Sequence, residues 1–193
     1  MNIQHINIKL YLENPETINL GDYAAVFNTW IQNQRLDELL IDVADYLHVH
    51  HGPGIMLIGH EADYSLDNRG GRLGLLYNRK AQLDGTTQEK LAHAVRAILT
   101  VAQILEKEND LTFNTHEVQV IVNDRLLVPN TAETFEALEP DLKAFFSRLY
   151  DGAEYTLLHN AEPRERFTIN LTTASNPGVG SLLKNITGEA IHA

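Results

Sequence analysis

Four of the nine histidines in this 193-residue chain, His48, His50, His51 and His60, lie close together and are interspersed with Asp42, Asp45, Asp63 and Asp67. Imidazole and carboxylate are the groups that hold Zn²⁺ or Fe²⁺ and that move protons near neutral pH. Residues two apart on an extended strand share a face, so His48 and His50 would project together, with Asp42 on the same side. A hairpin turning symmetrically about Gly52-Pro53 sets His48 opposite Leu57, Asp42 opposite Asp63 and Asp45 opposite His60. Facing carboxylates repel unless a cation lies between them, which makes Asp42, His48, His50 and Asp63 a candidate set of metal ligands. The corresponding activity is a metal-dependent hydrolase, and a divalent metal is the one cofactor these residue types suggest. The spacing matches no zinc signature such as His-Glu-x-x-His, and a one-residue slip breaks every pairing. Solvated side chains at a hairpin tip are the simpler account of His48, His50 and His51.

Asp45 and His60 raise a different question, because each interrupts an otherwise apolar row. Inward polar groups are costly unless paired, so the two are expected to meet, either as a structural ion pair or as an oriented base. Ser65 is the hydroxyl nearest His60 in sequence, but no Gly-x-Ser-x-Gly elbow surrounds it. Arg69, Arg72, Arg79 and Lys80 form a basic cluster interleaved with Gly70, Gly71 and Gly74. Glycines let backbone amides approach an anion while arginines fork onto its oxygens, so phosphate or carboxylate binding is one reading and solvated hairpin arginines the other. Asp45, His60, Asp63, Arg69 and Arg72 together make the candidate binding face, beside His48.

These residues need a scaffold, and the composition bounds it. A 44% hydrophobic content and no sharp compositional shift indicate one domain with a sizeable core, over residues 1–172. The formal charge of −11 disfavours nucleic acid and anionic membranes as general partners. With no cysteine, disulfides, thiolate metal sites and cysteine nucleophiles are excluded. The N-terminus lacks the basic start and apolar stretch of a signal peptide, and the expected setting is the cytoplasm.

Ile6, Ile8, Leu10 and Leu12 alternate with polar residues as in a half-buried strand. Asp22 can cap a helix bearing Ala25, Val26, Trp30 and Ile31. Extended runs follow from Glu38 to Val49, at Ile55 to Ile58 and at Leu73 to Tyr77. Thr86 with Glu89 is a capping box that opens a long helix carrying Leu91, Val95, Ile98, Ala102 and Leu105. A strand at Val118 to Val122 precedes a second capping box, Asn130 with Glu133, and a helix that Pro140 kinks or restarts. Strands at Glu154 to His159 and Arg166 to Thr172 complete the domain. The pattern predicts an α+β fold with a mostly antiparallel sheet and helices packed mainly on one face, in a ferredoxin-like or duplicated β-α-β-β arrangement. Residues 173–193 are expected to be a mobile or partner-docked tail.

The segments Leu40-Ile41-Asp42-Val43-Ala44-Asp45-Tyr46 and Gly52 to Tyr64, with Val122 to Leu126 and Pro129-Asn130-Thr131, resemble a family of uncharacterised bacterial proteins. The resemblance implies a bacterial cytoplasmic protein and brings no activity with it. The resulting expectation is a binding or interaction module, homo-oligomeric, taking a small anion or a protein partner, with the metal hydrolase as the alternative.

Overall fold

A computed structural model describes residues 2–162 and 164–187. Strands β1 (Ile6–Leu12), β2 (Leu40–Tyr46), β3 (Gly54–Gly59), β4 (Ala62–Asp67), β5 (Gly74–Arg79), β6 (Phe113–Val122), β7 (Tyr155–His159) and β8 (Phe167–Thr173) form one antiparallel sheet. Their order is β2-β3-β4-β5-β1-β6-β8-β7. Helices α1 (Asp22–Gln32), α2 (Thr87–Asn109) and α3 (Ala132–Leu149) connect β1 to β2, β5 to β6 and β6 to β7. Alternating strand directions make each of these pairs parallel, so each helix is a crossover. A crossover from β1 toward one edge, and crossovers from the oppositely directed β5 and β6 toward the other, fall on the same face when they share one hand. The topology therefore covers one face of the sheet and leaves the other open, which is the expected α+β arrangement.

Register shows how the strands divide their side chains. Val43, Leu57, Tyr64, Tyr77, Ile8, Val120 and Ile169 stand in one cross-strand row beneath the helices. Tyr23, Phe27 and Trp30 of α1, with Leu91, Val95 and Ile98 of α2, pack onto that face. Burying each such side chain contributes about 1.5–3 kcal/mol. The α1 stripe is thus rotated from the expected Ala25, Val26, Trp30 and Ile31, because Phe27 and Trp30 meet edge to face at 5.4 Å. The Thr86–Glu89 capping box forms as expected. Thr131, not Asn130, caps α3, and the Asn130 amide instead donates to the carbonyls of Asn160 and Glu162. Helix α3 continues through Pro140, which is exposed together with Glu136, so the carbonyl that loses its donor faces water.

Three expectations are corrected. Between α1 and α2 the chain makes four strands, so the order is not ferredoxin-like; β4 is the strand that was not anticipated. The β2–β3 pairing sets Asp42 against Ile58, Val43 against Leu57 and Asp45 against Ile55. Pairing stops at Tyr46 and Gly54, and residues 47–53 turn through the Val49 N–H to Tyr46 and Gly52 N–H to Val49 bonds, which takes His48 and His50 out of the strand. Gly54 closes this loop at φ +65, where a Cβ would lie 2.1 Å from the Leu66 carbonyl oxygen. Finally, residues 179–187 are not a mobile or partner-docked tail. They form α4 (Val179–Thr187), whose Val179, Leu182 and Ile186 join the core beside α2 and α3, and the Asn185 amide donates to the Leu149 carbonyl at 2.9 Å. Residues 188–193 of the expected tail lie outside the described residues. Among the described residues, no helix is long and apolar enough to cross a membrane.

Candidate functional site

The residues first singled out do not converge. His48, His50 and His51 are exposed in the loop after β2, and His60 is exposed in the β3–β4 turn. Asp45 is exposed and accepts the Leu47 amide at 2.8 Å, so the Asp45–His60 pair does not form. Asp42 and Asp63 share an open-face row but stand on either side of Ile58, two inter-strand spacings of about 4.8 Å apart. Lys80 neutralises Asp63 at 2.6 Å. Among the described residues, no three His, Asp or Glu side chains are grouped to hold a metal ion. The set Asp42, His48, His50 and Asp63 is therefore corrected: the register that would have joined them is not the one adopted.

Arg69 and Arg72 have a different fate. They lie at the rim of a groove of about 560 Å³ on the open face, running over β5, β1, β6, β8 and β7. Its floor is polar yet buried. Lys9 on β1 and Asp67 at the end of β4 form an ion pair of 2.6 Å, with side chains only 4% and 2% exposed. Asp67 Oδ1 also accepts the Arg69 amide at 3.1 Å, while Oδ2 is buried with no hydrogen-bond partner. Gly74 sits between Asp67 and Tyr11 in the register. A Cβ there would lie 2.3 Å from the Leu10 carbonyl oxygen, so glycine both permits the β5–β1 approach and keeps the groove floor open. Gln119 and Asn170 extend the floor through a 2.9 Å amide–amide bond.

The cations around this groove differ in their pairing. Arg72 stacks on the Tyr11 ring at 3.7 Å and donates two bonds to Glu117, at 2.6 and 2.7 Å, which hold its guanidinium above the ordinary value. Such a fork is fixed in place. Arg166, at the entry to β8, is half-buried and donates only a long 3.4 Å bond to Asn123. Burial first, and then the charge of Arg69, hold Arg166 below its ordinary value. Burial likewise lowers Lys9, against the raising effect of Asp67. Among the described residues, neither Arg69 nor Arg166 has a carboxylate within 4.0 Å. The floor and rim thus combine two guanidiniums that lack a close carboxylate with a carboxylate oxygen lacking a donor.

Comparison with known families, curated proteins and solved structures finds no match to this chain. Its chemistry is read from its own geometry.

A second polar cleft, about 490 Å³, lies on the helix side of the same β4–β5 pair. Glu38 Oε1 accepts the amides of Glu61 and Ala62 at 2.7 and 2.6 Å, and Oε2 accepts the Tyr64 hydroxyl at 3.3 Å. Arg79 donates to Glu61 at 2.7 Å and to the Ala81 carbonyl at 3.0 Å. The Arg79 hydrogen bond lowers the Glu61 carboxyl, while burial pushes the Tyr77 hydroxyl up to about 12. Burial raises Tyr64 as well, so both phenols remain protonated. Glu38 and Glu61 are thus engaged, which is the pattern of a structural network that fastens the β3–β4 turn and the chain after β5. Arg79 and Lys80 thereby leave the basic cluster that the sequence suggested.

Lys9, Asp67 and Arg166 are the groove residues that sequence reasoning missed in that role. Lys9 carried one signal, a cation in a strand whose other face is entirely apolar. Arg166 carried none, since its relation to Arg69 exists only across the sheet.

Proposed function

We propose that this chain is a binding module for a small anionic ligand, seated in the open-face groove on Arg69 and Arg166. One observation carries the reading: in a chain of formal charge −11, two guanidiniums share a groove and, among the described residues, neither has a carboxylate within 4.0 Å. Arginine forks match the oxygens of phosphate and carboxylate, and a half-buried cation without a counter-ion gains most when an anion arrives. A volume of about 560 Å³ suits a small molecule.

Calorimetric titration of the full chain with inorganic phosphate and with sulfate tests the proposal. Binding is expected, with affinity falling by tenfold or more in Arg69→Ala and in Arg166→Ala; absence of heat and of any thermal shift with either anion rejects it. The expected cytoplasmic setting and homo-oligomer stand beside this as further proposals. Leu39, Ile41, Leu47 and Val49, exposed along β2 and the adjoining chain, support self-association, and a purely monomeric mass by light scattering at high concentration counts against it.

A further inference from the structure

We infer that the groove's ligand is a hydroxyl-bearing phosphate monoester, with its phosphate on Arg69 and Arg166 and a hydroxyl donating to Oδ2 of Asp67. This rests on the anion reading above and extends it to a ligand class. Phosphate is favoured over carboxylate by donor number. Two guanidiniums offer two forks; a carboxylate's pair of oxygens is filled by one, whereas a phosphate monoester presents three oxygens and a double charge.

The second half of the ligand follows from the floor. Asp67 is 1% exposed, lines the groove and is ion-paired through Oδ1 alone, leaving Oδ2 without a donor. Buried acceptors of this kind are normally satisfied, and a carboxylate oxygen is a strong one. The missing donor belongs to the ligand and carries no positive charge, because Lys9 at 2.6 Å from the same carboxylate repels a second ammonium. A hydroxyl meets both conditions. The Arg69–Gly71 turn starts on Oδ1 of this carboxylate, through the Arg69 amide, and its glycines hold φ +71, so the phosphate-binding and hydroxyl-binding elements are adjacent in the chain. In the helix-side cleft the carboxylate oxygens of Glu38 and the Glu61 carboxylate already have donors.

The test compares inorganic phosphate, methyl phosphate and glycerol 3-phosphate by calorimetry on the full chain at one ionic strength. Glycerol 3-phosphate is expected to bind roughly tenfold more tightly than methyl phosphate, the worth of one hydrogen bond to a charged acceptor. In Asp67→Asn, which keeps one acceptor for Lys9 but loses Oδ2, that ratio is expected to fall to about one while methyl phosphate still binds. Equal affinities in the unaltered chain overturn the hydroxyl site and leave the anion reading standing. Failure of all three probes overturns both. A ratio that survives Asp67→Asn removes Asp67 from the assignment, and the comparison in the unaltered chain stays decisive even where that variant folds poorly.

Discussion

The two polar clusters on either face of the β4–β5 pair use similar residues to opposite effect. On the helix side, Glu38, Glu61, Tyr64 and Arg79 hold one another and nearby backbone groups. On the open side, Lys9 and Asp67 are tightly paired, yet among the described residues Arg69 and Arg166 have no carboxylate within 4.0 Å and one oxygen of Asp67 lacks a donor. Ionisable groups line both places. The carboxylates differ: Glu38 and Glu61 accept from several donors, whereas Oδ2 of Asp67 is buried without one, and a buried acceptor left unsatisfied costs free energy that a ligand can return. The histidine-rich loop makes the same point from the other direction: His48, His50 and His51 are numerous, exposed and solvated.

The contrast can be broken by substitution. Asp67→Ala leaves Lys9 charged and alone on the groove floor, and is expected to cost about 3–5 kcal/mol in urea unfolding. The double replacement Lys9→Met with Asp67→Leu should recover most of that loss; if the single variant is as stable as the original, the pair is not buried in solution. Glu38→Ala removes the acceptor for two amides and a phenol, for an expected loss of about 1–2 kcal/mol given its partial exposure. Phosphate affinity should not move in that variant, and a change there would show that the two faces are coupled. The smallest effect concerns acid. The Glu61 carboxyl is lowered from 4.5 by Arg79, so its ion pair contributes stability above that value and loses it as pH falls through the lowered one. Glu61 is half exposed, so the contribution is a few tenths of a kcal/mol. The stability gap between the original chain and Glu61→Gln should be measurable at pH 7 and should close near pH 3; a gap that widens in acid contradicts the pairing.

Local signals were legible in the sequence and non-local ones were not. The Thr86–Glu89 capping box involves residues three apart, and it formed as read. The proximity of Arg69, Arg72 and their glycines was legible too, since they lie within six positions of one another. Their partners were hidden: Lys9 and Asp67 are 58 positions apart and meet only because β4, β5 and β1 lie side by side. The hairpin after β2 does not turn symmetrically about Gly52-Pro53 but through a loop over residues 47–53, and that shift dissolves the Asp42–Asp63 and Asp45–His60 pairings. Strand β4 did carry the alternation of Ala62, Tyr64 and Leu66 with Asp63, Ser65 and Asp67. Its polar row is buried on a face without helices, a combination that periodicity alone does not announce. Val179, Leu182 and Ile186 have helical spacing, but the surface of α2 and α3 that receives them is formed elsewhere in the chain.

Strand β1 occupies the middle of the sheet although it is the first strand in the chain, and its neighbours are β5 and β6. Its pairings reach from Asn7 to Asn78 and to Ile121, so nearly two thirds of the polypeptide must be synthesised before its second edge can close. Long-range pairing of this kind slows folding and leaves a strand waiting with an unpaired edge. The alternation that carries Lys9 and Asn7 along one side of β1 makes the waiting segment amphipathic, where a continuous apolar run would be an aggregation hazard during synthesis.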